Sequence, residues 1–188
     1  MGTVSQIQLE SLFARVDARL NKQLDVFVIG GASAILGYNV SKVTNDVDID
    51  GIIDPDFDKI FREEVVDLKL DLHLSSRGVF YPPEGHRSRS KFKDFPKKNL
   101  RVWYLDQYDL AISKIDRGAP KDYEDIQRVH EKSAFDRDRM IQIFTDEYIN
   151  VVATGNKREK MMNLVDLVLN LFGEDVVEDT QKRIGFKL

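Results

Sequence analysis

Between residues 46 and 50 every second side chain is a carboxylate: Asp46, Asp48 and Asp50, in the run TNDVDIDG. In an extended strand, residues two apart share a face, so these three point one way while Val47 and Ile49 point the other. Unit charges about 4 Å apart repel by roughly 4 kcal/mol at an effective dielectric near 20. Carboxylates crowded in this way need a cation, a raised pKa or free access to water. An EF-hand loop also begins D-x-D-x-D-G, but its twelfth position must be a bidentate Glu, and counted from Asp46 that position is Phe57. The preceding GYNVSKVT is rich in β-branched residues and has no helical face to lead into such a loop. Two readings of DVDID remain: a solvated edge strand, or a strand that presents carboxylates to a catalytic metal.

The flanking segments favour the second. DVFVIGG (25–31) is a short apolar, β-rich run ending in two glycines, which predicts a buried strand entering a tight turn. ASAILG after it suits a short helix stopped by Gly37. Free backbone N–H groups at such a turn can cradle phosphate oxygens. LKLDLHL (68–74) alternates Leu68, Leu70, Leu72 and Leu74 with Lys69, Asp71 and His73, which predicts a strand with Asp71 on its polar face. Two carboxylates on one strand, a third on its neighbour and a Gly30–Gly31 corner together describe a metal–triphosphate site.

Elsewhere the periodicity is helical. Ser5 and Gln8 form a capping box ahead of Ile7, Leu12, Phe13, Val16 and Leu20, predicting a helix over about 5–22. Asp54 caps a helix with Pro55 at its first position. Residues 82–101 carry Arg87, Arg89, Lys91, Lys93, Lys97, Lys98 and Arg101 against only Glu84 and Asp94. They read as a basic loop, able to touch a nucleic-acid backbone with Phe92, Phe95 or Trp103 free to stack on bases. VWYL after it reads as an edge strand. From Asp106 onward the chain is helical. The fold class is α+β: a mixed β-sheet flanked by helices through residue 105, then C-terminal helices.

Composition bounds the function. The 188 residues are 42% hydrophobic and 32% charged, with a net charge of −4, so any nucleic-acid surface must be local. Without cysteine there is neither a disulfide framework nor a thiolate metal site. The first residues lack a signal-peptide core, and a cytoplasmic, membrane-free protein is the expectation.

VIGGASAILGYNVSKVTNDVDID resembles the hallmark of the nucleotidyltransferase superfamily, the polymerase-beta-like fold: a glycine turn, a helix, then Asp-x-Asp. It is similar to the small prokaryotic, minimal branch that includes abortive-infection-type (AbiEii-like) toxins. That branch shows a Lys or Arg and then a Ser or Thr ahead of the doublet, matched here by Lys42 and Thr44. A later D-L-x-x-x-K helix and D-x-x-D pair are matched by DLAISKI (109–115) and DYED (122–125), with Arg117 between. The resemblance covers residues 24–130.

It implies a nucleotidyltransferase domain over 1–132, with a C-terminal helical segment over 133–188 packed on it. It implies transfer of a nucleotide from an NTP such as ATP to an acceptor hydroxyl, on tRNA or on a protein, with Mg²⁺ or Mn²⁺ as cofactor. Asp46 and Asp48 would hold the metal, with Asp71 as third ligand. Gly30, Gly31, Ser33, Lys42 and Thr44 would bind the triphosphate. Lys114 would offset phosphate charge, and Asp122 or Asp125 would orient it or take part directly. A toxin–antitoxin role brings an antitoxin as partner. The alternative is an inactive NTP- or partner-binding module on the same fold.

Overall fold

The computed structural model describes residues 4–40, 44–76, 81–115, 118–150 and 156–186. Lys42 and Arg117 lie outside them. The chain divides into one unit of residues 1–79 and 90–105 and a second of residues 80–89 and 106–188.

The first unit holds α1 (Gln6–Arg19), β1 (Leu24–Ile29), α2 (Gly30–Tyr38), β2 (Asp46–Ile49), α3 (Pro55–Asp67), β3 (His73–Ser76), β4 (Lys91–Asp94) and β5 (Leu100–Tyr104). The predicted caps form: Ser5 and Gln8 make the capping box of α1, and Asp54 accepts from the N–H groups of Asp56 and Phe57. The sheet runs β3-β2-β1-β5-β4. β1 is antiparallel to β2 and parallel to β5, β2 is parallel to β3, and β4 is antiparallel to β5. One face of the sheet carries Val26, Val28, Val47, Ile49, Leu74, Leu100 and Val102, all buried. Phe13, Phe57, Phe61 and Phe95 interlock beside them. The opposite face carries Asp46, Asp48, Phe27, Phe92 and Trp103, because residues paired across a ladder share a face.

Three expectations change here. The strand predicted from LKLDLHL begins only at His73. Residues 68–70 instead close α3: the Leu68, Lys69 and Leu70 N–H groups donate to Glu64, Val66 and Val65 carbonyls, and Lys69 takes a φ of +53°. The end of the helix takes up the first two leucines, which no alternation pattern can show. Second, Gly37 does not stop α2. The helix ends at Asn39, which has a φ of +48°, and Gly37 is inside it, where an added Cβ would meet the Tyr104 ring at 2.5 Å. Third, the basic loop contains the edge strand β4, and Val102, Trp103 and Tyr104 lie in β5, an inner strand paired on both sides. The turn between them is held by Asp17, a fully buried carboxylate of α1 that accepts N–H bonds from Lys97 at 2.6 Å and from Asn99 and Leu100 at 2.8 Å.

The second unit is helical: a short turn α4 (His86–Arg89), then α5 (Gln107–Ile115), α6 (Pro120–Lys132), α7 (Arg137–Ile143) continuing as a π-helical turn Phe144–Tyr148, α8 (Lys157–Phe172) and α9 (Val177–Arg183). Leu110, Ile126, Val129, Met140, Phe144, Leu164, Leu167 and Val168 form its core. Met162 is exposed, whereas Leu164 and Val165, two and three positions on, are buried. Among the described residues no helix is long and apolar enough to cross a membrane.

Candidate functional site

Asp48 lies level with Ile29, the residue immediately before Gly30. The sheet register therefore brings the doublet strand beside the corner where β1 becomes α2. Gly30 has a φ of +64°, a conformation that costs L side chains, so glycine is what the corner needs. Ile29 supplies no side-chain cap to α2. The N–H groups of a helix's first turn have no partner within the helix, and with the positive end of the helix dipole behind them they suit an anion.

On β2 the burial alternates: Asp46 is exposed, Val47 buried, Asp48 half-buried and Ile49 buried. Both carboxylates occupy one face, as the period of two requires. Asp50 falls beyond the strand, and its N–H bonds the Phe27 carbonyl at 2.8 Å. Ser75 of β3 donates its hydroxyl to Asp48 Oδ1 at 2.6 Å. Ser75 lies two residues past His73 on the same face, beyond the end of the strand that LKLDLHL predicts.

Parallel pairing sets His73 beside Asp46 and Ser75 beside Asp48. Asp71 stands one pleat before His73, ahead of β3. It is exposed, 4.0 Å from His73 Nε2, and accepts from Asn45 Nδ2 at 3.4 Å. Among the described residues no group of three or more His, Asp or Glu side chains is arranged for a metal. The pair on β2 still fits Mg²⁺, which keeps several waters and usually binds one or two carboxylates plus substrate phosphates.

Other predicted residues have visible tasks in the fold. The Ser33 hydroxyl, fully buried, accepts the Leu105 N–H at 2.8 Å, tying α2 to the chain just after β5. Thr44 Oγ1 donates to the Asp46 carbonyl at 2.9 Å and accepts its N–H at 3.2 Å, setting the start of β2.

In the second unit, Lys114 of α5 places Nζ 2.7 Å from Asp125 and 3.4 Å from Asp122 on α6, with all three side chains at most 3% exposed. Its charge is taken up by two carboxylates and kept from solvent. A second buried network joins α4, α5 and the π-helical turn. Arg89 bridges Asp109, fully buried, and Glu147, while Glu147 also accepts the Gly85 N–H at 2.8 Å. Burial pushes the Asp109 carboxyl up against the opposing pull of Arg89. The hydrogen bonds to Asp109 and Glu147 hold Arg89 charged beyond the ordinary arginine range.

An α+β unit with a mixed sheet, a glycine corner and an adjacent carboxylate doublet describes a nucleotidyltransferase-like protein. Residues 7–172 match the family described as "Nucleotidyltransferase of unknown function (DUF6036)", and the chain belongs to that family. No curated protein and no solved structure matches it.

Proposed function

We propose that the protein is a metal-dependent nucleotidyltransferase, moving a nucleotide from an NTP to an acceptor hydroxyl. The observation that carries this reading is the register of β1 and β2, which sets Asp48 level with the residue before the Gly30 corner. Asp46 and Asp48 hold Mg²⁺, which when bound neutralises charge on the attacking and leaving oxygens. The Gly30–Gly31 corner and the first turn of α2 receive the triphosphate through backbone N–H groups. The acceptor oxygen bonds to the α-phosphorus, the bond to the bridging oxygen breaks, and pyrophosphate leaves. Asp71, at the rim, is the candidate for taking the hydroxyl proton. Ser75 orients Asp48 by its hydrogen bond. Lys114, Asp122 and Asp125 brace α5 against α6.

Incubation with labelled NTP, Mg²⁺, total RNA and cell protein tests this. Wild type should label an acceptor, and Asp48→Ala should label none while keeping its fold; equal labelling by the two would remove the site. A toxin role rests on the family resemblance: expression of wild type, and not of Asp48→Ala, should arrest growth, and an antitoxin should relieve the arrest.

A second reading is favoured by the burial of Lys114 and the lack of a gathered third carboxylate among the described residues. It is an NTP-binding module without turnover. Calorimetry with each NTP and Mg²⁺ that gives tight binding without product supports it.

A further inference from the structure

Three hydroxyls near the doublet and the glycine corner are held in different ways. Thr44 and Ser33 are buried, and their hydroxyls are engaged with backbone: Thr44 with the N–H and carbonyl of Asp46, Ser33 with the N–H of Leu105. Ser75 is half-buried, and its hydroxyl donates to a carboxylate, Asp48 Oδ1, at 2.6 Å. Parallel pairing puts Ser75 level with Asp48, on the face that carries both carboxylates. On its other side Asp48 is level with Ile29, one residue before the Gly30 corner. Three adjacent strands therefore present, at one height, a hydroxyl on β3, a carboxylate on β2 and the corner at the end of β1. With strands about 4.8 Å apart, the hydroxyl's strand and the corner's strand are separated by about 10 Å.

We infer that Ser75 is itself an acceptor, so that the protein nucleotidylates its own chain. The inference rests on the transferase reading and deepens it by naming one acceptor and its consequence for the site. A serine hydroxyl is a weak nucleophile until a base stands within hydrogen-bond reach, and Asp48 Oδ1 stands there. A triphosphate whose outer phosphates rest at the corner extends over β2, which brings its α-phosphorus toward Ser75. In the step, Ser75 Oγ bonds to the α-phosphorus and the bond from that phosphorus to the bridging oxygen breaks. Pyrophosphate leaves, and the hydroxyl proton passes to Asp48 Oδ1 and on to water. The product is a serine phosphodiester. An acceptor already in place needs no separate binding step, so it reacts ahead of a dilute external hydroxyl. Once attached, the nucleotide lies between the doublet and the corner and closes the site to the next NTP. Self-modification is then a brake on the enzyme.

The test uses the purified full chain alone, with Mg²⁺ and each NTP in turn labelled at the α-phosphate. The NTP it uses should add the mass of one nucleoside monophosphate, and tandem mass spectrometry should place it on Ser75. The same NTP labelled at the γ-phosphate should leave no label. Ser75→Ala and Asp48→Ala should gain nothing, whereas Ser75→Thr keeps a hydroxyl and should still be modified. Calorimetry gives a reading apart from turnover: the modified protein, freed of excess nucleotide, should no longer bind NTP, while the unmodified protein does. Four outcomes overturn the proposal: an unchanged mass, label on a residue other than Ser75, equal labelling of Ser75→Ala, or modified protein that binds NTP like the unmodified. Transfer to added RNA or protein with Ser75 left bare removes the proposal and keeps the transferase reading. Transfer to no acceptor at all, the chain itself included, removes both.

Discussion

Two pairs of aspartates in this protein have opposite fates. Asp46 and Asp48 share one face of β2, Asp46 exposed and Asp48 half-buried with its Oδ1 accepting the Ser75 hydroxyl. Asp122 and Asp125 are sealed in the helical unit around the ammonium of Lys114. One pair keeps its charge available to a cation brought by a ligand; the other has already spent its charge within the fold. Motif order treats the two alike. Solvent access separates them: an exposed doublet can exchange water for a metal, whereas a buried ion pair resists any exchange because a lone buried charge is expensive.

The largest effect should come from breaking the buried pair. Lys114→Met removes the buried ammonium between two carboxylates and should cost about 3–5 kcal/mol, read as a lower urea midpoint at unchanged slope. Replacing Asp122 and Asp125 by Asn in the same variant should recover most of it. Asp48→Asn should change stability by less than about 0.5 kcal/mol, since it sits on the surface of the sheet, while eliminating nucleotide transfer. If Lys114→Met were stable and inactive, the lysine would belong with the exposed pair after all.

Next comes Arg89→Met, which strands Asp109 in the interior and should cost about 2–3 kcal/mol by the same unfolding measurement; part-exposed Glu147 can turn to water and limits the loss. Ser33→Ala should cost about 1–2 kcal/mol by orphaning the buried Leu105 N–H. Such a loss, with the NTP affinity of the folded protein kept, would place Ser33 in the scaffold and not in the triphosphate cradle.

The smallest effect is in pH. Arg89 holds the Glu147 carboxyl below its ordinary range. Its stabilisation is complete above the ordinary glutamate value of about 4.3 and fades as the pH falls through the lowered folded value. Asp109 has the opposite sign. Burial raises its carboxyl, so its contribution declines as the pH rises from the ordinary aspartate value, about 3.9, to the raised one, and is level above that. Glu147→Gln should remove the acid-side loss and leave the Asp109 slope visible in thermal midpoints measured against pH.

Much of the fold was legible because it depends on local chemistry. Ser5 and Gln8, Asp54 and Pro55, and the alternation in DVDID all act within a few residues. Asp17 was not legible, because nothing near it in sequence shows that its partners are the N–H groups of residues 97, 99 and 100. Nor was the role of LKLDLHL, where the exit of α3 competed with strand alternation and won the first residues. The corner and the doublet could be listed from the chain, but their separation could not, since it depends on which strand β1 takes as its neighbour.

By itself, then, the sequence determined the glycine corner, the alternating carboxylates and the order of helices and strands, since each follows from backbone sterics and side-chain period over a short span. Only the tertiary structure decided which charges face water and which are neutralised inside, and which aromatic rings line the carboxylate face. Burial and cross-strand pairing are properties of residues distant in the chain, and they come into being only when the sheet and the helical core close.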